Sequence, residues 1–187
     1  MIIVIPMAGR GKRFAEAGYT LPKPLIDICG RSMIQWAVSS FTPDASYIFL
    51  VLKEQAKALK KLLMGKIIEV DKITEGAACT VLLAEDLIDN NEELLLSTCD
   101  IFLQFAWDDF INSARKYDGC LITFNSTNPH HSYAKVVKDR VVQVAEKIVI
   151  SDHGSAGVYY FKHGKDFVWA AKEMIRKNIR TNNEFYI

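Results

Sequence analysis

The sequence predicts an α/β domain in which a mixed, mostly parallel sheet lies between two layers of helices. Short runs rich in β-branched and aromatic residues alternate with longer stretches of helical periodicity. This β-α-β order implies parallel strands joined by right-handed crossovers. The 187 residues, half of them hydrophobic, are enough for one domain with a sizeable core. We therefore expect a single domain, residues 1–187, with a small β-rich insertion near residues 126–155.

The first half of the chain alternates strands with helices. Ile2–Met7 is a continuous apolar run, typical of a strand that is buried on both faces. A glycine-rich basic loop, residues 8–13, follows this strand, and Ser32 is placed to cap a helix that reaches residue 41. The pattern then predicts strands at residues 47–52 and 66–70, each followed by a helix, at residues 53–63 and 77–88.

The second half begins with a buried apolar strand, residues 93–98, and a helix, residues 107–117. Asp108 and Asp109 favour the start of that helix through its dipole. A strand at residues 119–125 precedes the insertion, in which residues 133–138 and 141–144 flank a predicted hairpin turn at Asp139-Arg140. A strand at residues 156–161 and a helix at residues 165–178 complete the pattern.

Charge and cysteine content argue against several classes of protein. The 23 basic and 22 acidic residues leave a formal charge of +1, which gives no global attraction to nucleic acid or to an anionic membrane. No apolar run approaches the roughly 20 residues that span a bilayer, and the first residues lack the basic start of a secretory signal. The four cysteines are far apart, which favours buried, reduced thiols over disulfides or a zinc site. We expect a cytoplasmic protein with neither nucleic acid nor membrane as its partner.

Two strand ends carry residues suited to binding phosphate. In open α/β sheets, ligands bind beyond the carboxyl ends of the strands. After the first strand, Gly9 and Gly11 allow the backbone to approach a phosphate, and Lys12 and Arg13 supply positive charge. Taken alone, this Gly-x-Gly loop is a weak signal that an ordinary turn explains equally well.

A lysine and an aspartate add to this arrangement. Lys23 lies between two prolines, which stiffen the backbone and hold the cation in a defined place. Asp100 follows the buried strand at residues 93–98, and a carboxylate there suits Mg²⁺, which prefers one or two carboxylates together with phosphate oxygens. The alternatives are a solvated surface lysine for Lys23 and a helix cap or surface acid for Asp100.

The motifs together are more specific than any one of them. They stand in the order Met7-Ala8-Gly9-x-Gly11-x-Arg13-Phe14, Pro22-Lys23-Pro24-Leu25 and Gly30-x-x-Met33-Ile34. This series resembles the opening of the sugar-phosphate nucleotidyltransferase family, and Gly18-Tyr19 resembles its bacterial capsule-type, cytidylyltransferase-like branch. The resemblance implies a Rossmann-like, three-layer fold.

The same resemblance implies a role for each matched residue. Arg13 would hold the triphosphate, Lys23 would bridge it to the acceptor phosphate, and Asp100 would bind Mg²⁺, with Mn²⁺ as the alternative metal. These three form the implied catalytic set. The implied nucleotide-binding set is Met7, Ala8, Gly9, Gly11, Lys12, Arg13, Lys23, Glu75, Gly76 and Ala77. The implied acceptor-binding set is Glu146, Lys147 and Gly157.

Several of these residues also have plainer interpretations. Gly76 could be an ordinary loop glycine ahead of a helix, and Glu146 and Lys147 could be exposed residues at a hairpin end. His130 and His131 are adjacent, so a metal site would need further ligands, and a loop is the better interpretation.

The implied reaction transfers a nucleoside monophosphate from a nucleoside triphosphate to a phosphorylated acceptor and releases pyrophosphate. CTP is favoured among the pyrimidine nucleotides, and a sugar 1-phosphate is the default acceptor, with a phosphorylated amino acid or polyol as an alternative. Capsule or surface polysaccharide biosynthesis is the expected context. The rivals are a nucleotide-sugar-dependent glycosyltransferase, whose usual Asp-x-Asp motif is absent after Asp100, and a non-catalytic nucleotide-sensing domain.

The last residues of the chain resemble a family segment that ordinarily continues. Residues 181–187 correspond to a stretch that in the family runs on through another helix and strand. The resemblance therefore implies a second metal-binding carboxylate beyond Ile187. It leaves the oligomeric state open, with a homodimer among the options.

Overall fold

The computed structural model describes residues 1–187 as one layer of sheet between two layers of helix. The strands are β1 Ile2–Met7, β2 Asp27–Ile28, β3 Arg31–Ser32, β4 Ser46–Leu52, β5 Lys66–Val70, β6 Leu94–Ser97, β7 Gly119–Asn125, β8 Ser132–Val137, β9 Arg140–Glu146 and β10 His153–Phe161. The helices are α1 Lys12–Glu16, α2 Met33–Val38, α3 Lys53–Leu59, α4 Ala77–Leu82, α5 Glu85–Ile88, α6 Trp107–Ala114 and α7 Gly164–Arg176. A 3₁₀ turn, Lys23–Leu25, precedes β2.

The main sheet has eight strands in the order β5-β4-β1-β6-β10-β8-β9, with β7 paired to β10. Strands β5, β4, β1 and β6 are parallel, and Val4 of β1 lies between Ile48 of β4 and Leu96 of β6. Strand β10 runs antiparallel to β6, β7 and β8. The predicted α/β fold with a mixed sheet and a β-rich insertion is confirmed.

Successive residues of the central strands pack into different layers, because side chains alternate between the two faces of a sheet. Val4 and Leu96 lie in a cluster that α4, α5 and α7 cover. Ile3 and Leu95 lie in a second cluster that α2, α3 and α6 cover. Burial on both faces explains why these strands are continuous apolar runs in the sequence.

The insertion is a hairpin whose turn is one residue earlier than predicted. Strands β8 and β9 pair antiparallel, and Lys138 and Asp139 between them both have positive φ, 50° and 60°. Two central residues with positive φ make the turn that best matches the twist of a β-hairpin. Strand β9 therefore begins at Arg140 and continues to Glu146.

Three local features differ from the predicted elements. The predicted helix at residues 77–88 is two helices, because the chain turns at Leu83 and Ala84 between α4 and α5. Helix α1 is five residues long and buries none of them, so its sequence carries no apolar stripe. The two-residue strands β2 and β3 are too short to produce a periodic pattern.

All four cysteines are free, as predicted. Cys99 is buried, and this burial raises the pKa of its thiol to about 12. Cys29 departs from the predicted burial and is exposed, because it lies in the β2–β3 turn with a φ of 53°. None of the helices is both long enough and apolar enough to cross a bilayer.

Candidate active site

Predicted phosphate-binding residues meet at the carboxyl ends of β1 and β6. Strands β1 and β6 are parallel neighbours, so the loop after β1 and the residues after β6 leave the sheet on the same side. Between them is a cavity of about 180 Å³. It is lined by Pro6, Met7, Gly9, Gly11, Lys23, Pro24, Thr98, Cys99 and Asp100. The structure thus brings together residues that are up to 94 positions apart in the chain (Pro6 to Asp100).

An ion pair between Lys23 and Asp100 spans this cavity. Lys23 Nζ lies 2.6 Å from Asp100 Oδ2, and the two side chains are 25% and 36% exposed. The lysine begins a 3₁₀ turn, and Pro24 beside it is buried. Its ammonium also lies 5.5 Å from the centroid of the Phe14 ring. The cation is therefore fixed by its backbone and by two neighbours rather than free in solvent.

The backbone of Gly11 packs closely against Lys23. Its φ of 58° lies in the left-handed region, and a Cβ at this position would stand 3.2 Å from Lys23 Cβ. A side chain at position 11 would therefore both strain the backbone and press on the lysine. Gly11 also caps α1 at its N-terminus.

A second cleft of about 490 Å³ adjoins the first cavity. The two share Pro6, Gly9 and Gly11, so the glycine loop forms a common wall. The cleft carries the polar or charged side chains of Arg10, Lys12, Thr74, Thr80 and Glu184. Its lining is Pro6, Ala8, Gly9, Arg10, Gly11, Lys12, Ile73, Thr74, Gly76, Ala77, Thr80 and Glu184. The predicted nucleotide-binding loop and turn therefore face one another across a single cleft.

Threonine hydroxyls fix the turn at residues 74–77. Thr74 Oγ1 donates a hydrogen bond to the carbonyl oxygen of Gly76 at 2.9 Å and lies 2.6 Å from Thr80 Oγ1. Glu75 does not line the cleft, because its carboxylate pairs with Arg180, Oε2 to Nη2 at 2.5 Å.

The predicted acceptor-binding residues lie in the antiparallel half of the sheet. Lys147 Nζ is 3.4 Å from Glu146 Oε1, and Ser132 Oγ donates a short hydrogen bond to Glu146 Oε2. Gly157 lies against the first cavity, since its carbonyl oxygen accepts a hydrogen bond from the Thr98 amide at 3.3 Å. Gly157 has a φ of 74°, and a Cβ there would stand 3.2 Å from Thr98 Cγ2.

Tyr186 lies beside the Glu146–Lys147 pair. Lys147 Nζ lies 5.8 Å from the centroid of its ring. Burial, followed by the charges of Glu184 and Glu146, raises the pKa of the Tyr186 hydroxyl, and Lys147 acts in the opposite direction. Glu184, two residues before this tyrosine, lines the 490 Å³ cleft.

Arg13 and Glu75 lie outside the lining of both cavities, and the nucleotide-binding roles of all the predicted residues stay predictions. Thr98, Thr80 and Glu184 line the cavities without having been predicted. Thr98 had a signal in the sequence, because it ends the same predicted strand that leads to Asp100. Glu184 had none, because it reaches the cleft through the fold of residues 180–187.

The donor atoms fit a divalent cation that is held jointly with phosphate. Asp100 offers one carboxylate at the cavity wall, and no group of three or more His, Cys, Asp or Glu side chains is arranged to hold a metal ion. Mg²⁺ commonly binds through one or two carboxylates and completes its shell with phosphate oxygens and water. The site therefore fits an ion that arrives with a triphosphate rather than one held in a protein cage.

Comparisons with known proteins agree with this geometry. The family model described as "Nucleotidyl transferase" matches residues 2–185. The catalytic subunit beta of mannose-1-phosphate guanylyltransferase from Danio rerio is 25% identical over 179 residues, covering 86% of this chain and 49% of the relative. The bifunctional protein GlmU of Methanocaldococcus jannaschii is 25% identical over 169 residues, covering 86% of this chain and 40% of the relative. This chain thus spans about half the length of these curated relatives or less.

A solved structure gives the same result in three dimensions. The nucleoside-diphosphate-sugar pyrophosphorylase from Vibrio cholerae RC9 superimposes with a TM-score of 0.84 at 28% sequence identity, covering 99% of this chain and 84% of the other. The motifs, the cavities at the strand ends, the family model and this superposition agree, and the chain belongs to the nucleotidyl transferase family.

Proposed function

We propose that the protein transfers a nucleoside monophosphate from a nucleoside triphosphate to a sugar 1-phosphate and releases pyrophosphate. The observation that carries the proposal is the 180 Å³ cavity in which Lys23 and Asp100 face the glycine loop. The names of the relatives support it, since they include a mannose-1-phosphate guanylyltransferase and a nucleoside-diphosphate-sugar pyrophosphorylase.

In the proposed complex the nucleotide occupies the 490 Å³ cleft and its phosphates extend into the 180 Å³ cavity. The backbone of Gly9 and Gly11 lies along the wall that the two spaces share, where amide groups can approach the phosphates closely. Lys12 adds positive charge in the cleft, and Arg13 follows it on α1. The turn at residues 74–77 then lies beside the nucleoside.

The proposed chemistry needs no protein nucleophile. An oxygen of the acceptor phosphate attacks the α-phosphorus, the bond from that phosphorus to the bridging oxygen of pyrophosphate breaks, and pyrophosphate leaves. The acceptor phosphate is already ionised, so no side chain has to remove a proton from it. Lys23 lies where the two phosphates meet and offsets their repulsion, and catalysis is then positioning and charge neutralisation.

Asp100 is the residue proposed to hold Mg²⁺, or Mn²⁺ in its place. The bound ion would neutralise charge on the triphosphate. On the acceptor side, Glu146 is proposed to accept hydrogen bonds from sugar hydroxyls and Lys147 to bind the acceptor phosphate. Gly157 would let the acceptor lie against the backbone of β10.

The base and the biological context are further parts of the proposal. We expect CTP to be the nucleotide donor, because the opening motifs resemble those of the capsule-type branch. GTP competes for this position, since the Danio rerio relative is named a guanylyltransferase. The product would be an activated sugar for capsule or surface polysaccharide. A cytoplasmic location is consistent with four free cysteines, which suit a reducing compartment.

The experiment is a panel of CTP, UTP, dTTP, GTP and ATP, each with Mg²⁺ and with mannose 1-phosphate, glucose 1-phosphate or N-acetylglucosamine 1-phosphate. Pyrophosphate release is measured, and the nucleotide sugar is identified by mass spectrometry. One pair should give pyrophosphate and nucleotide sugar in equal amounts. Nucleotide binding without release of pyrophosphate from any pair would instead indicate a sensing domain.

A further inference from the structure

Residues 180–187, which we call segment 180–187, cover the outer side of the turn at residues 74–77. Phe185 is 2% exposed and packs into the core beneath α4 and α7. Its amide donates a hydrogen bond to the carbonyl oxygen of Glu75 at 2.8 Å, and its carbonyl oxygen accepts one from the Ala78 amide at 3.1 Å. The Ala78 amide belongs to the first turn of α4, where amides have no partner within the helix. Segment 180–187 therefore holds both ends of the turn.

Gly76 shows how closely the two segments fit. Its φ is 136°, and a Cβ at this position would overlap the backbone of Phe185, with the Phe185 nitrogen only 2.5 Å away. The glycine is thus required by segment 180–187 on one side while it lines the 490 Å³ cleft on the other. Neither face of the turn can move without disturbing the other.

Arg180 joins the turn to segment 180–187 through nearly all of its guanidinium group. Its Nη2 contacts Glu75 Oε2 at 2.5 Å, its Nε donates to Asn178 Oδ1 at 2.6 Å, and its Nη1 donates to the Asn183 carbonyl oxygen at 3.1 Å. The Arg180 Cζ atom also lies over the Phe185 ring, 3.9 Å from its centroid. A planar fork with several donors can satisfy all of these contacts, whereas an ammonium cannot.

These contacts are poorly placed to stabilise the fold as a whole. The Glu75 side chain is 67% exposed, and exposed ion pairs contribute little to the free energy of unfolding. Their effect is local, because they connect the turn only with residues 178–187. The turn is also where the proposed nucleotide would contact the chain outside its phosphates.

From this geometry we propose that Arg180 and Phe185 are positioning residues for the nucleoside. They hold the turn at residues 74–77 in the conformation that closes the cleft, although neither touches the ligand. The proposal rests on the proposed function, in which the cleft binds a nucleoside triphosphate. It requires that losing Arg180 weakens recognition of the nucleoside and leaves recognition of the phosphates unchanged, because the glycine loop and Lys23 are untouched.

Calorimetry with two probes tests this requirement. The first probe is the tightest-binding triphosphate of the five-nucleotide panel with Mg²⁺, and the second is inorganic tripolyphosphate with Mg²⁺, which lacks the nucleoside. For Arg180→Ala we expect the Kd of the nucleotide to rise about five- to tenfold, as for members of one contact network, while the Kd of tripolyphosphate stays within about twofold. Arg180→Lys should restore only part of the affinity, and Glu75→Gln should weaken nucleotide binding in the same direction.

Arg176→Ala is the matched control, because Arg176 makes an ion pair of the same kind, Nη2 to Glu173 Oε2 at 2.8 Å, on the exposed side of α7. That variant should change neither Kd, and the melting temperatures of the two alanine variants should be similar. Equal weakening of both probes by Arg180→Ala, or no weakening, would overturn the positioning role. If neither probe binds the wild-type protein, it is the proposed function that fails, so the two failures are distinguishable.

Discussion

At the scale of single residues, the decisive feature is that Lys23 and Asp100 neutralise each other in the free protein, Nζ to Oδ2 at 2.6 Å. The proposed reaction needs both charges for other partners: the lysine for phosphate and the aspartate for a divalent cation. Binding of a triphosphate with its metal therefore has to break this pair. The triphosphate alone would leave Asp100 without a cation, and the metal alone would leave Lys23 without an anion. We therefore expect the binding of the triphosphate and of the metal to be coupled.

Asp100→Asn tests this coupling. Removing the carboxylate frees Lys23, so binding of a metal-free triphosphate should become tighter, by about two- to fivefold, the range expected for a partly exposed ion pair. The measurement is calorimetry in EDTA. Mg²⁺ should then add less to nucleotide affinity than it does in the wild type, and turnover should be lost. Asp71→Asn, which removes the partner of Lys53 on the exposed surface, is the control and should behave as wild type.

Lys23→Ala tests the other half of the pair. The lysine lies where two phosphates would meet, so its charge should matter more in the transition state than in nucleotide binding. We expect kcat to fall on the order of 10²-fold, while the Kd of the triphosphate changes by less than about tenfold. Stopped-flow pyrophosphate release and calorimetry measure the two quantities. Near-normal turnover would remove Lys23 from the catalytic set, and Lys53→Ala provides the control at an exposed lysine.

At the scale of elements, a hydrogen-bond network around Glu93 stabilises the amino-terminal end of β6, opposite the end of the strand that carries the candidate active site. This residue precedes β6, and its carboxylate accepts hydrogen bonds from Arg115 Nε at 2.7 Å, from Arg115 Nη2 at 2.9 Å and from the Tyr160 hydroxyl at 2.9 Å. The Arg115 guanidinium is the main cause of the lowered pKa of Glu93, and Tyr160 adds to it. The network joins β6, β10 and the end of α6.

A lowered pKa fixes the direction of the pH effect. Because the folded protein binds a proton on Glu93 less readily than the unfolded chain does, the network stabilises the fold above the ordinary glutamate pKa. That stability is lost as pH falls through the lowered pKa. Glu93→Gln should lower the free energy of unfolding by about 1–2 kcal/mol at pH 7, and by progressively less as the pH falls below the ordinary glutamate pKa. Urea unfolding at pH 7 and at a series of lower pH values measures the difference.

The elements that the sequence predicted best are those whose pattern arises from burial on both faces. Strands β1, β4 and β6 follow continuous apolar runs, and the sequence placed the site at their carboxyl ends. Helix α1 and strands β2 and β3 were missed because a five-residue helix with no buried residue and two-residue strands carry no periodicity. Pairing over long distances along the chain was beyond prediction: nothing in the local sequence connects Arg180 with Glu75, 105 positions away.

Part of the candidate site was predictable for the same reason. Gly9, Gly11, Lys23 and Asp100 lie after strand ends or in stiff turns. Backbone geometry there determines where the two glycines lie and in which direction the Lys23 and Asp100 side chains point. Glu75 lies in the turn at residues 74–77, and the direction of its side chain depends on Arg180, the partner that segment 180–187 supplies. Gly11 shows a further limit of sequence analysis, because its φ of 58° makes any substitution costly to the fold as well as to the proposed phosphate binding.

At the scale of the whole molecule, the sheet divides into two halves with different proposed ligands. The parallel half, β5-β4-β1-β6, carries the glycine loop and Asp100, and the antiparallel half carries Glu146, Lys147 and Gly157. The halves meet where β6 pairs with β10. At this joint the Thr98 amide donates its hydrogen bond to the Gly157 carbonyl oxygen. The distance between the two proposed ligands is therefore set by one pair of strands.

Gly157→Ala tests whether the joint also sets the acceptor site. A Cβ there would stand 3.2 Å from Thr98 Cγ2, in a backbone whose φ is 74°, so either the Thr98 side chain or β10 has to move by a few tenths of an ångström. Gly18→Ala is the matched control, because Gly18 has a φ of 89° but nothing within 4 Å of its Cβ. Both variants should lose about 1–2 kcal/mol of unfolding free energy from left-handed strain, and Gly157→Ala should lose more. Urea unfolding measures this term.

Gly157→Ala and Gly18→Ala should also differ in their effects on substrate binding. In Gly157→Ala the KM for the sugar 1-phosphate should rise several-fold, because a shift of a few tenths of an ångström at the joint moves the acceptor residues away from Asp100. The Kd of the triphosphate should stay unchanged, because the glycine loop and the turn at residues 74–77 belong entirely to the parallel half. Gly18→Ala should change neither constant. If Gly157→Ala raised the nucleotide Kd as much as the acceptor KM, the parallel and antiparallel halves of the sheet would not bind their ligands independently. The acceptor residues would then contribute to nucleotide binding as well.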